Sequence, residues 1–268
     1  MSGFRGRVHV REDGPADAAA LVMLHGFSGS MHWFDRVVPL LADRFRLVRI
    51  DLLAHGSTGG PALDAPGQAR AVDAVLAELG VAGATAVGHS FGADVAVELA
   101  ERSARIERLV IVTQAPDYSD ATLPRGSVLM TVPLLGAAMA STLKLLSATL
   151  GALIVRRRAA APGGELAVQG LHDFRALDAA MFRTVLVDRR DRMRARPLDA
   201  QVRDTDKPTL VILGERDHFY GARSAARYRD AGAEVQVLDD AGHSPLVELP
   251  GPTAELIGDF AGRVVSDS

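Results

Sequence analysis

Residues 84–99 read ATAVGHSFGADVAVEL, and this stretch limits the possible folds more than any other. Thr85-Ala86-Val87 is a short apolar run suited to a buried parallel strand. From Phe91 to Glu101 the spacing becomes helical, with Val95, Leu99 and the small Ala93, Ala96 and Ala100 able to face a sheet. Between the two lies Gly88-His89-Ser90-Phe91-Gly92, which fits G-x-S-x-G, so a strand must turn sharply into a helix at Ser90. Glycine at 88 and 92 removes the side chains that would clash at such a turn. Ser90 is expected at the apex, in a strained conformation, with its hydroxyl free to meet a substrate. The N-terminus of the helix then brings the Phe91 N–H, with its partial positive charge, beside that hydroxyl.

A serine hydroxyl is a poor nucleophile at neutral pH and needs a base. Downstream, Thr209-Leu210-Val211-Ile212-Leu213-Gly214 is an apolar strand ending in glycine, and Asp217 follows its C-terminal end. His243 stands in Leu238-Asp239-Asp240-Ala241-Gly242-His243-Ser244-Pro245. Each residue has a plain structural reading: a turn serine, a helix-capping aspartate, a loop histidine. All three in the order Ser, Asp, His, each at a strand's C-terminal end, favour chemistry over coincidence.

With these residues the chain resembles the alpha/beta-hydrolase family from His25-Gly26 to the last helix. His25-Gly26-Phe27, Asp51-Leu52-Leu53-Ala54-His55-Gly56-Ser57, the serine elbow and the strand ends bearing Asp217 and His243 agree in order and spacing. The resemblance implies a mostly parallel central sheet with helices on both faces and an inserted helical cap. The core would be 1–116 and 206–268, and the cap 117–205. It implies a catalytic triad of Ser90, His243 and Asp217, with the backbone N–H groups of Phe27 and Phe91 as oxyanion hole. It implies no cofactor. The substrate would be an ester, thioester, lactone or activated C–C bond of a lipophilic small molecule. Acyl transfer, elimination or cofactor-free perhydrolysis of the haloperoxidase kind is the alternative with the same triad, and a non-catalytic binding module is a third reading. Asp117, after the strand that follows the elbow, is a rival acid; Asp240 is too close to His243 to turn back onto its ring. The chain departs from the family at Leu53-Ala54, where a Pro-Gly pair is usual, and at His218-Phe219-Tyr220, where a proline often follows the acid. His25, Asp51, His55 and Ser57 are expected to hold loops by local hydrogen bonds.

Strands are expected at 4–11 (short, at an edge), 20–24, 46–50, 106–112 and 234–238, and helices at 33–41, 65–79 and 252–265, with another from Arg223 to Tyr228. On the helix at 65–79, Ala69, Val72, Val75, Leu76 and Leu79 share one side. Repeated strand–helix alternation argues for a sheet covered on both faces. It breaks after Val112 and resumes near Lys207. Residues 128–155 are very apolar and are expected to roof the site. A membrane span is the rival reading, opposed by Pro133, Lys144 and the position between two halves of one sheet. Residues 156–158 are expected to be a solvated arginine run, 159–164 a loop, and 172–194 the outer cap helices. Trp33, Gln114, Leu146 and Phe219 are the candidate pocket residues.

The chain has 268 residues and no cysteine, which removes disulfides, thiol nucleophiles and thiolate metal sites. A net charge of -3 gives no support for nucleic-acid binding. No H-E-x-x-H spacing, G-x-G-x-x-G or P-loop occurs, so no metal or nucleotide site is expected. The N-terminal residues lack the apolar run of a signal peptide, so a cytoplasmic protein without stable membrane insertion is expected. Oligomeric state is left open.

Overall fold

The computed structural model describes residues 8–119, 142, 164–219 and 223–263. Its strands are β1 (Val10–Asp13), β2 (Ala20–Leu24), β3 (Arg46–Ile50), β4 (Ala84–His89), β5 (Ile106–Val112), β6 (Thr209–Gly214) and β7 (Glu234–Leu238). They form one seven-stranded sheet in the order β1-β3-β2-β4-β5-β6-β7. β1 runs antiparallel to β3, and the remaining pairs are parallel.

Strand side chains alternate between two apolar layers because successive residues point to opposite faces. Val22, Leu24, Val48, Ile50, Ala86, Leu109, Ile111 and Val211 join one layer. Leu21, Met23, Leu47, Val87, Val110, Val112, Leu210 and Ile212 join the other. The first layer is closed by α2 (Ala65–Glu78) and α3 (Phe91–Arg102), through Val72, Leu76, Val95 and Leu99. The second is closed by α1 (Val38–Leu41) and the C-terminal helix, through Leu41, Ile257 and Phe260. Chain order reverses at β2, which lies between β3 and β4. The loops after β2 and β4 are therefore neighbours at the sheet's switch point, where open α/β sheets place ligands.

Some elements differ from the sequence reading. The edge strand falls later than 4–11, because its span is set by pairing with β3, Val10 opposite Ile50 and Asp13 opposite Leu47. The helix expected at 33–41 is a 3₁₀ turn, Met31–Phe34, followed by α1, with Pro39 in the first turn of α1. Proline lacks the N–H that a helix continuing from residue 33 would use there. The last helix begins earlier, as Pro250–Ala261, since its prolines are tolerated in a first turn. The helix at Arg223–Asp230 runs past Tyr228.

Between β5 and β6 the described elements are all helical: α4 (Gly164–Ala176), α5 (Ala180–Arg183), a π-type turn Thr184–Asp188, α6 (Arg189–Ala195) and α7 (Leu198–Thr205). In chain order α8 (Arg223–Asp230), α9 (Pro245–Glu248) and α10 (Pro250–Ala261) complete the fold. The apolar run at 128–155, the arginines at 156–158 and the loop at 159–163 lie outside the described residues. Among the described residues no helix is long and apolar enough to cross a membrane.

A ladder of ion pairs fastens α6 to α3. Arg189 Nε lies 2.8 Å from Asp94 Oδ2, Arg192 Nη1 2.8 Å from Glu98 Oε1, and Arg196 Nη2 2.6 Å from Glu101 Oε1. Asp94, Glu98 and Glu101 recur at helical spacing on one face of α3, Arg189 and Arg192 do so on α6, and Arg196 follows just past its C-terminal end. The first rung is buried, and Arg189 also donates to Ala115 O at 3.1 Å and stacks on the Tyr118 ring. Removing one partner of a buried pair leaves a stranded charge. Asp94→Ala is therefore expected to lower unfolding free energy by about 3–5 kcal/mol. Glu98→Ala frees Arg192 and Arg102, which keep 24% and 52% of their side chains exposed and stay solvated, so it should cost less, about 1 kcal/mol. Urea denaturation of both variants checks this, and equal losses would contradict it.

Candidate active site

Ser90 joins β4 to α3 with φ 50° and ψ −122°, a region that non-glycine residues rarely enter. Holding it costs about 1–3 kcal/mol and requires the surroundings to over-determine it. The Ser90 N–H donates to Val112 O at 2.9 Å, and the Ala93 N–H donates to Ser90 O at 2.8 Å. A Cβ on residue 92 would stand 2.1 Å from Leu24 O, and one on residue 88 would stand 2.3 Å from Gly92 O. No larger residue fits at either place, so the motif glycines are a steric demand of the turn. Gly26 is pressed against the same point, for a Cβ there would lie 3.0 Å from both Ser90 Cβ and His89 Nδ1.

His243 sits on the loop between β7 and α9. Its Nε2 is 3.1 Å from Ser90 Oγ, and its Nδ1 is 2.8 Å from Asp217 Oδ2. A carboxylate accepts, so Nδ1 carries the proton and Nε2 is left to accept from the Ser90 hydroxyl. The other Asp217 oxygen accepts from the Phe219 N–H at 2.8 Å. The Phe219 ring meets the His243 ring edge to face, centroids 4.9 Å apart. Asp217 is 4% exposed against 23% for His243, so the pair presents an imidazole to solvent with its acid sheltered behind it.

The loop carrying His243 is held by its backbone. Glu248 accepts from the N–H groups of Gly242 at 2.6 Å and Ser244 at 2.8 Å. The carbonyl of His243 accepts from His89 Nε2 at 2.7 Å and Thr113 Oγ1 at 2.8 Å. None of these three side chains is singled out by the sequence reading. Glu248 carries one possible signal, an acid shortly after His243; His89 has only its place inside the motif.

Phe91 is the first residue of α3, where no preceding helical carbonyl is available to its N–H. Phe27 follows the Gly26 turn, which is closed by Gly29 N–H on Gly26 O at 3.1 Å. Beside it, His25 is fully buried, accepts from the Leu52 N–H at 3.0 Å and contacts Gly26 O through Nδ1 at 2.9 Å. Burial drives its pKa down, as a neutral loop-holding role requires. The loop at 51–57 is tied locally: Asp51 accepts from the N–H groups of Met31 at 2.7 Å and Ser57 at 2.9 Å. His55 Nδ1 reaches Leu53 O at 2.9 Å. Ala54, standing where the resemblance has glycine, takes φ 65°.

Other candidates lie elsewhere. Asp117 pairs with Arg227 at 2.8 Å and accepts from the Ser119 N–H, so it is not on His243. Asp240 pairs with Arg216 in solvent. Gln114, expected in the pocket, is buried with both polar ends engaged: it donates to Asp94 at 2.7 Å and accepts from the Ala115 N–H at 3.1 Å. It therefore belongs to the buried polar network under α6. Trp33 is half-buried and tilted against His89, centroids 6.4 Å apart. Leu146 lies outside the described residues. A separate cleft of about 480 Å³ at the C-terminal end of α3, lined by Glu101, Arg102, Arg196, Asp204 and Lys207, contains none of these groups. Nearer the turn, Phe27, Phe174 and Phe182 pack in an aromatic wall, with Phe182 5.0 Å from Phe27 and 6.4 Å from Phe174 between ring centroids.

Residues 21–256 match the model of a family described as the alpha/beta hydrolase family. The chain is similar to monoacylglycerol lipase abhd6-A of Xenopus laevis, 25% identical over 94% of this chain and 78% of that protein. It is 34% identical to a pimeloyl-[acyl-carrier protein] methyl ester esterase of Nitrosomonas europaea over 41% of this chain and 42% of that one. A hydrolase from Pseudomonas aeruginosa superposes with a TM-score of 0.75 at 25% identity, covering 96% of this chain and 94% of that one.

Burial pushes the pKa of His55, beside His25, down to about 3. Between about pH 3 and 6.5 the unfolded chain binds a proton at this residue that the folded chain refuses. Stability therefore rises with pH across that window and is lost as pH falls, by about 1.4 kcal/mol per pH unit. His55→Gln is expected to flatten the dependence by that amount between pH 6 and 4. Urea midpoints of wild type and variant measure it, and parallel curves would contradict it.

Proposed function

The chain belongs to the alpha/beta hydrolase family, and from that premise we propose that it is a serine hydrolase acting on an ester-type bond of a lipophilic small molecule. The observation that carries the reading is the unbroken series Ser90 Oγ, His243, Asp217, with contacts of 3.1 and 2.8 Å. Ser90 attacks the substrate carbonyl while His243 Nε2 takes its proton. Asp217 holds the imidazole tautomer and stabilises the imidazolium. The developing oxyanion meets the backbone N–H groups of Phe27 and Phe91. His243 then returns the proton to the leaving alcohol, and water repeats the sequence to free the acid.

The lipophilic substrate rests on separate support. The Phe27, Phe174 and Phe182 wall adjoins the oxyanion turn, and the names of the relatives specify a monoacylglycerol lipase and a methyl ester esterase. We assign 117–205 as a helical cap on the core formed by 1–116 and 206–268, with the helices between β5 and β6 as its described part.

Ser90→Ala is expected to keep the fold and lower kcat for an activated ester by about 10⁴–10⁶. Asp217→Asn should cost about 10⁴ through the wrong imidazole tautomer. Asp117→Asn should leave kcat near wild type, and the reverse pattern would move the acid to Asp117. Along a series of esters with lengthening acyl arms, kcat/KM should rise about fourfold per methylene until the pocket is filled, from about 0.8 kcal/mol per buried methylene. A flat series would contradict a lipophilic site.

A further inference from the structure

His243 must keep its imidazole on the Ser90 hydroxyl, yet it stands on a loop. Regular structure does not hold it there, and misplacement by about 1 Å can cost 10²-fold in rate. Two side chains from the ends of adjacent strands converge on its carbonyl oxygen: His89 Nε2 at 2.7 Å and Thr113 Oγ1 at 2.8 Å. β4 and β5 are paired so that His89 lies beside Val112, the residue before Thr113. We propose that His89 and Thr113 are positioning residues, which hold the main chain of His243 so that its ring stays on Ser90. The proposal rests on the reading of Ser90 as nucleophile and His243 as base.

The donors fit this task and little else. A carbonyl oxygen only accepts, so His89 must carry its proton on Nε2. Its Nδ1 is buried, has no hydrogen-bond partner among the described residues, and faces Gly26, where a Cβ would lie 3.0 Å away. A second proton there would find no acceptor. Burial, followed by the neighbouring His243, pushes the His89 pKa to about 3, in agreement with that geometry. The two rings are 5.3 Å apart between centroids. A neutral His89 leaves His243 free to take the positive charge that proton transfer gives it. A cationic neighbour at that distance would oppose the charge.

Thr113 makes its contact from an unfavourable backbone. Its φ is 47°, unusual for a β-branched residue, while its N–H donates to Ile212 O at 2.8 Å. Strain of this kind persists where surrounding contacts fix it, and it points to a functional demand on the side chain. Here the hydroxyl is aimed at His243 O. His89 also adjoins Ser90 in the chain, so nucleophile and base are located by the same turn.

The test uses the full chain and the variants His89→Leu, His89→Gln and Thr113→Val. The readouts are the rate of fluorophosphonate labelling at Ser90, located by mass spectrometry, kcat and KM for p-nitrophenyl butyrate, and the thermal midpoint. His89→Leu is expected to slow labelling and kcat about 10- to 100-fold with KM within about twofold. His89→Gln, whose amide nitrogen can stand near the place of Nε2, should recover to within about threefold of wild type. Thr113→Val should slow labelling by a smaller factor. If His89→Leu labels at the wild-type rate, or His89→Gln is as slow as His89→Leu, the positioning role is overturned. Should His89→Leu fail to fold, an unchanged labelling rate in Thr113→Val overturns it instead. Absence of labelling at Ser90 in the wild type overturns the nucleophile reading itself, a result distinct from all of these.

Discussion

The backbone of Ser90 turns from strand to helix at φ 50°, and it can do so because the residues around it approach as bare backbone. A side chain at 92 would collide with Leu24 O, and one at 88 with Gly92 O. Those contacts belong to β2 and α3, beside the point where the sheet reverses its order. The same reversal brings the loop after β2 against the elbow, with Gly26 close to Ser90 Cβ. One steric constraint thereby brings the Ser90 turn, the start of α3 and the Gly26 turn together.

Charge around that point is distributed unevenly. His25, His55 and His89 are buried, and burial drives the pKa of each down. Their hydrogen bonds go to backbone groups of loops that they fasten. His243 differs in having a carboxylate on one nitrogen and a hydroxyl on the other. Neutral imidazoles thus form the frame, and one imidazole with an acid behind it faces the opening. On the other side of the elbow helix, the pairs Asp94–Arg189 and Glu98–Arg192 bind α6 to α3. Those pairs place α6 relative to the helix that begins at Ser90, so elbow and α6 share a support.

Much of this was legible in the sequence. The elbow was visible because glycine spacing, a short apolar strand and a small-residue helix face are all local signals. The strands at 20–24 and 106–112 match because buried parallel strands carry long apolar runs, while 46–50 and 234–238 match with polar residues among their apolar ones, the latter as an edge strand. Asp217 and His243 could be named because both follow strand ends. What stayed hidden depends on contacts between distant segments. His89 is 154 residues from His243, and the motif leaves its position free. Gln114, expected in the pocket, is instead drawn inward by Asp94, which the buried Arg189 also holds. The span of β1 is set by β3, and Pro39 divides a stretch whose apolar pattern alone suggests one helix.

The central claim is that the elbow places Ser90 Oγ where His243 can take its proton while the N–H groups of Phe27 and Phe91 meet the developing oxyanion. A crystal structure of the wild-type protein treated with an alkyl phosphonate tests it most directly. The account predicts phosphorus bonded to Ser90 Oγ, with a phosphoryl oxygen about 2.7–3.1 Å from both backbone nitrogens. A phosphonate on another residue, or one on Ser90 whose oxygen points away from Phe27 and Phe91, would contradict it.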